Sequence, residues 1–245
     1  LLEWAQLTPK RYQAQLYIGC RTQSGDKDGE KVAFSSPLGV DGAALRQAFS
    51  WLSGGTVMQI PPAVSALKQK GRRLYQATRQ GQAVWPIPRL THIAAVEIIG
   101  GADNLWTIEA EVGSGTYIRA LARDVGYLLG VAARLEDLQR TQVGSFSLGE
   151  SVSWDDVQHQ PLSWLGNKLL GAAGHVIFPI IAMTEDVLAD IVHGRMRSWP
   201  ELDAVPGPLA GIAVNRQLVA VLEGPPWRYR KVLGKEDGQY NESME

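Results

Sequence analysis

A single cysteine, Cys20, in 245 residues leaves no internal disulfide and no thiolate cluster for zinc, which fits a reducing compartment. Histidine is also sparse. His92, His159, His175 and His193 are scattered, with neither the i, i+4 pairing nor the cysteine partners of a metal site. No stretch approaches the roughly 20 consecutive apolar residues of a membrane span. The most apolar run, HVIFPIIAM, is short and broken by Pro179. A phosphate-loop lysine motif is missing, and GSGTY is not a nucleophile elbow. LLEWAQLTPK has neither the charged start nor the small-residue cleavage site of a signal peptide. What remains is a cytoplasmic globular protein, with 45% hydrophobic residues to build a core. Its first residue is Leu1 and not methionine, so we expect the chain to begin partway into a longer protein.

The net charge is −1 and the isoelectric point is near 6.5, so the surface as a whole is no electrostatic trap for nucleic acid. Acidic residues are absent, however, from the whole window between Asp41 and Glu97. Arg46, Lys68, Lys70, Arg72, Arg73, Arg79 and Arg89 all fall inside it, four of them within KQKGRR. A solvated basic loop is one account of such a cluster. A phosphate-facing surface is the other, and the lack of competing carboxylates favours it.

Periodicity gives the elements. Tyr12, Ala14, Leu16, Ile18 and Cys20 alternate with polar partners and predict a strand over RYQAQLYIGCRT. Asp26 and Asp28 fall in S-G-D-K-D-G, which reads as a tight turn and not an acid pair. Asp41 caps a helix carrying Leu45, Ala48, Phe49 and Leu52, stopped by Gly54-Gly55. Pro61-Pro62 forbids a helix before about Ala63, so QIPPAVSALKQKGRRLYQATRQG is a basic excursion with a short helix near Leu74. Strands follow at about 90–99 and 105–112, and Ser153 with Asp156 marks a capped helix start. Beyond a glycine-containing connector, Thr184 caps a helix that Gly194 ends, and LAGIAVNRQLVAVLEG reads as a hairpin turning at Asn215-Arg216 before the strand RKVL. Mixed strands and helices without βαβ rhythm predict an α+β main domain and a small β-rich domain after it.

The stretch GSGTYIRALARDVG, residues 113–126, joins a strand to a helix. Upstream, Trp106, Ile108, Ala110 and Val112 keep a period of two; downstream, Ile118, Leu121, Ala122, Val125, Leu128 and Leu129 recur at helical spacing until Gly130. Tyr117 and Arg119 therefore sit at a strand end, where scaffolds present chemistry, and a cation placed there faces an anion. A tyrosine on a strand or an arginine at a helix start is individually unremarkable.

RYQAQLYIGCRTQSGDKDGE, QIPPAVSALKQKGRRLYQATRQG, GTYIRALARDVG and LEDLQRTQVGSF occur together in one order, and in that order the chain resembles the TruB family of bacterial tRNA pseudouridine-55 synthases. The resemblance runs from about Lys10 to Val157. From about Met183 to Leu233 the chain is similar, less closely, to the small PUA-like RNA-binding domain that closes these proteins. The resemblance implies an α+β pseudouridine synthase mixed-sheet domain over residues 1–158, lacking its N-terminal part, with a thumb-like RNA-binding insertion at 56–90. A connector at 159–182, a PUA-like domain at 183–234 and a disordered tail at 235–245 complete it. It also implies a monomer that acts on the T-arm of tRNA without cofactor or metal. The family isomerises one T-loop uridine by breaking its N-glycosidic bond, rotating the uracil and rejoining it through C5, after the base has left its stack. Carried over by motif, Tyr12 stacks on the flipped base and Tyr117 and Leu138 line the uracil pocket. Arg119 pairs with the catalytic aspartate, and Lys68, Lys70, Arg72, Arg73 and Arg79 belong to the RNA-binding insertion. Thr78 stands where the family commonly carries alanine.

The family's aspartate lies in a G-x-L-D-P-x-A-T-G segment upstream of the KRY strand, together with a histidine that helps flip the base. These 245 residues contain no such segment. Two functional classes therefore stay open. One is a pseudouridine synthase whose nucleophile lies upstream of these residues, so that the chain alone is inactive. The other is a non-catalytic module that grips or remodels the tRNA elbow.

Overall fold

The computed structural model describes residues 9–65, 67–69, 72–80, 85–166, 178–197 and 199–233; Lys68, Arg72, Arg73 and Arg79 are described as backbone. The chain divides into two compact units, one over residues 6–150 and one from residue 151 onward. Lys70 and the tail expected at 235–245 lie outside the described residues.

In the first unit the elements run β1 (Lys10–Ile18), β2 (Cys20–Thr22), β3 (Lys31–Phe34), α1 (Gly42–Leu52), β4 (Gly55–Gln59), β5 (Lys68–Gln69), β6 (Arg72–Arg73), α2 (Leu74–Arg79), β7 (Arg89–Ala102), β8 (Leu105–Val112), α3 (Ile118–Leu128), β9 (Ala133–Val143) and β10 (Phe146–Ser147). Six of the strands form one antiparallel sheet in the order β10-β9-β1-β8-β7-β4. The pleat sends Ala14, Leu16 and Ile18 of β1, with Ile108, Ala110 and Val112 of β8, to one buried face. Leu45, Ala48 and Phe49 of α1 and Ile118, Leu121, Ala122 and Val125 of α3 pack into the same core. Both sets follow the i, i+3, i+4 spacing that makes a helix one-sided. Burying a side chain such as Leu45 or Phe49 contributes about 1.5–3 kcal/mol.

Local signals act as the sequence leads one to expect at α1. The Asp41 carboxylate accepts from the N–H groups of Ala43 and Ala44 at 2.9 and 2.8 Å, satisfying two of the helix's unpaired donors. At RYQAQLYIGCRT the expected single strand is divided. Gly19 turns the chain at φ +111°, so β1 ends in the large sheet and β2 pairs with β3 in a separate hairpin. A residue without Cβ makes that change of direction possible. LEDLQRTQV, for which periodicity predicts no element, is most of β9, the neighbour of β1. Two register shifts along the β1–β9 pair break the alternation that would have marked it.

The helix α3 lies close against the chain that follows it. A Cβ on Gly126 would sit 2.8 Å from the Val131 carbonyl oxygen and 2.8 Å from the Ala133 Cβ. Gly126→Ala should therefore lower stability by about 1–3 kcal/mol through overpacking, overriding the roughly 1 kcal/mol that alanine gains over glycine in a free helix. Urea denaturation measures this, and an unchanged or raised midpoint would show that residues 131–133 yield.

The second unit holds two short helices, α4 (Trp154–His159) and α5 (Leu162–Gly166), then β11 (Ile180–Met183), α6 (Leu188–Val192), α7 (Pro200–Asp203), β12 (Leu209–Val214), β13 (Gln217–Glu223) and β14 (Arg228–Val232). Ser153 caps α4 as expected, accepting from the Asp156 N–H at 3.0 Å. The expected hairpin is formed by β12 and β13, with Asn215 and Arg216 both at positive φ, the signature of a tight two-residue turn. β11 adds in parallel to β12, and β14 adds antiparallel to β13. Thr184 stands at the expected N-cap position without capping. Its hydroxyl donates to the Asp186 carboxylate, and a 3₁₀ turn, Glu185–Val187, precedes α6. Among the described residues no helix is long and apolar enough to cross a membrane.

Candidate active site

The side chain of Arg119 is 23% exposed, on the first turn of α3. Its Nη1 donates to the Asp26 Oδ2 at 3.1 Å and to the Ser24 carbonyl at 3.1 Å, and its Nη2 donates to the Val64 carbonyl at 2.9 Å. A guanidinium has five N–H donors in a fixed fork, so these three bonds set its orientation. The anion it faces among the described residues is Asp26, from the turn that the sequence reads as structural. The turn is real: Gly25 has φ +82°, and the Asp26 Oδ1 accepts from the Ser24 hydroxyl at 2.5 Å. Its second role was missed because a turn's composition does not reveal a partner 93 residues away. Asp28 is exposed.

This turn is docked on β9, where the Leu135 N–H donates to the Gly25 carbonyl at 3.0 Å. Leu138 lies three residues further along β9, opposite Ala14 of β1, and Arg140 lies opposite Tyr12. Cross-strand partners share a face, so Tyr12 and Leu138 stand diagonally on the face that carries the core. Tyr12 is half-buried against that core, while Leu138 is 42% exposed. On the opposite face of the same strands, Gln13, Gln15, Thr107, Asp137 and Gln139 wall a hollow. Lys10, at the start of β1, has its ammonium pKa lowered by partial burial and then by the charge of Arg140. A second cation beside it thus adds to the positive end of this strand pair. Tyr117 is the N-cap of α3, half-buried and extended at φ −106° and ψ 113°, with no side-chain cap bond. Among the described residues no group of three or more His, Cys, Asp or Glu side chains could hold a metal ion.

The acid-free basic stretch forms a small ribbon and helix. Lys68 pairs with Arg73 and Gln69 with Arg72, and α2 follows at once, as the sequence expects near Leu74. Leu74 is buried, and its N–H donates to the Leu67 carbonyl at 2.8 Å, which holds the ribbon closed at its base. The ribbon grows out of residues 60–65, so its root includes the carbonyl that Arg119 grips.

A strand-to-helix junction with a tethered arginine is compatible with several chemistries, and likeness to known proteins decides among them. Residues 1–118 match the family model described as TruB family pseudouridylate synthase, N-terminal domain, and residues 119–179 match tRNA pseudouridylate synthase B C-terminal domain. The tRNA pseudouridine synthase B of Rhodococcus jostii (strain RHA1) is 34% identical over 229 residues, 91% of this chain and 72% of that protein. The chain belongs to the TruB family. The synthase B of Dehalococcoides mccartyi (strain BAV1) is 31% identical over 232 residues, 91% of this chain and 74% of that protein. TruB family members are tRNA pseudouridine synthases, RNA-modifying isomerases. The fold agrees. A solved Cbf5-Nop10-Gar1 complex contains a chain matching with a TM-score of 0.62 at 20% identity, over 93% of this chain and 68% of that one. An H/ACA RNP bound to a substrate RNA containing 2'-deoxyuridine matches with a TM-score of 0.61 at 18% identity. The two TruB family models meet inside α3, yet α3, β1 and β9 share one core.

Proposed function

We propose that this TruB family chain carries the base pocket, the arginine and the tRNA grip of a pseudouridine synthase that isomerises the T-loop uridine at position 55. The observation that carries the proposal is Arg119, tethered by Asp26, Ser24 and Val64, with the 24–26 turn docked on β9, which with β1 presents Tyr12 and Leu138. The target uridine must leave its stack at a cost of a few kcal/mol. Tyr12 receives it by stacking, and Tyr117 and Leu138 close on the uracil. Among the described residues, two of Arg119's five N–H donors have no acceptor, and these face the catalytic aspartate supplied by a G-x-L-D-P segment upstream. An opposite charge at that range holds a carboxylate ionised and oriented. The ribbon and helix at 68–79 track the phosphates, and residues 183–234 act as a PUA-like RNA-binding domain. We place the protein in the cytoplasm, acting as a monomer on the T-arm of tRNA, without cofactor or metal.

Binding is tested by salt titration of tRNA affinity. Each phosphate contact releases counterions, so losing one flattens the log–log slope by somewhat under one unit. Changing Lys68, Lys70, Arg72 and Arg73 together to Ser should flatten the slope by about one to three units with little loss of stability, since the ribbon is held through Leu74. Tyr12→Ala should impair capture of the flipped base while leaving the slope nearly unchanged, because stacking releases no counterions. An unaltered slope in the quadruple variant makes the ribbon a solvated face and moves RNA binding to the second unit, around Arg228, Arg230 and Lys231.

A further inference from the structure

Gln59 closes β4 at a position where the strand's period points inward. Thr56 and Met58 are exposed, whereas Gln59 is 2% exposed. A primary amide thus occupies a place that the pattern gives to an apolar side chain, and a buried amide left unbonded is costly. Both of its ends go to one residue. The Oε1 accepts from the Tyr117 N–H at 2.8 Å, and the Nε2 donates to the Tyr117 carbonyl at 3.1 Å. That same carbonyl takes the Leu121 N–H at 3.0 Å, the first bond of α3. Tyr117 has no oxygen placed to cap the helix, so the junction relies on a side chain 58 residues away.

The bonds continue along the segment after Gln59. Arg123 Nη2 donates to the Ile60 carbonyl at 2.9 Å, and Arg119 Nη2 donates to the Val64 carbonyl at 2.9 Å. The first turns of α3 are therefore laced to residues 59–64, the root of the basic ribbon, and Gln59 makes the lacing bidentate at the peptide from which Tyr117 projects. We infer that Gln59 is a positioning residue for the isomerisation, fixing Tyr117 and, two residues on, Arg119 against the root of the ribbon. This rests on the synthase function proposed above.

The test uses Gln59→Leu and Gln59→Met, each of which removes both bonds, the methionine also keeping the length of the side chain. In the 245-residue chain, amide hydrogen exchange at Tyr117 should quicken by roughly tenfold or more in both variants, as expected when a buried bond is lost. Exchange in β1 and β8 should stay unchanged. In the chain joined to a relative's upstream aspartate segment, the single-turnover rate should fall roughly a hundredfold, with tRNA affinity within about threefold. Unchanged exchange at Tyr117 overturns the inference. So does a rate loss matched by an equal loss of affinity, or lost protection across the sheet, since either makes Gln59 a structural residue only. If Gln59→Leu does not fold, Gln59→Met decides. A joined parent protein that makes no pseudouridine counts against the synthase function, and exchange at Tyr117 then decides Gln59 separately.

Discussion

Arg119→Ala, in the chain joined to a relative's upstream aspartate segment, should lower the single-turnover rate by about 10²–10⁴-fold while tRNA affinity changes by no more than about threefold. The asymmetry follows from what the guanidinium touches. Its described partners are a carboxylate and two carbonyls of the protein itself, so its removal deprives the substrate of no direct grip. What is lost is the fixed orientation of a cation beside the reacting carboxylate, an electrostatic contribution that is large in a partly desolvated site. Arg119→Lys should recover little, because an ammonium is a point charge that cannot hold Asp26, Ser24 and Val64 in three directions at once. Folding is followed in the same samples, since the arginine also ties the 24–26 turn to α3. Near-normal turnover in both variants leaves Arg119 an anchor for the 24–26 turn and the ribbon's root, with no part in the reaction. A matched fall in affinity and rate makes it a substrate-binding group instead.

Elements whose cause is local were legible in the sequence. The Asp41 cap, the helix end before Gly54, the α3 stripe from Ile118 to Val125 and the Asn215-Arg216 hairpin each depend on residues within a turn or two of one another. The features that periodicity could not give depend on distant partners. β9 is a strand because β1 pairs with it through two register shifts, and the split at Gly19 exists because β2 finds β3. The same division runs through the candidate site. Tyr12, Tyr117, Arg119 and Leu138 were selected by motif; the turn below Arg119 docks on β9, which carries Leu138 and pairs with β1, the strand of Tyr12. Asp26 and Gln59 were not selected. One was hidden by the plausibility of its turn, the other by its place in a short edge strand, and their partners lie 93 and 58 residues away. A buried glutamine in a strand that otherwise alternates was the available signal for the second.

The 245-residue chain alone should form no pseudouridine in tRNA, and the same chain joined to a relative's G-x-L-D-P segment should form it. The described carboxylate nearest to taking over is Asp26, and both of its oxygens are engaged. Oδ1 accepts from the Ser24 hydroxyl at 2.5 Å and Oδ2 from Arg119 at 3.1 Å. A nucleophile needs a lone pair directed at the reacting carbon at about 3–3.5 Å, whereas Asp26 is turned toward its own turn and toward α3. It follows Gly25, whose φ of +82°, a conformation other residues adopt with strain, sets the turn. Reorienting it would break two charge-assisted or short hydrogen bonds at once. Nucleoside analysis of tRNA after prolonged incubation decides the matter, with the joined chain as positive control. Product above background from the isolated chain sinks the prediction, and its disappearance in Asp26→Asn would name Asp26 as the substitute nucleophile. If neither protein forms product while both bind tRNA, the chain is the elbow-binding module, and Arg119 serves only to anchor the ribbon's root to α3.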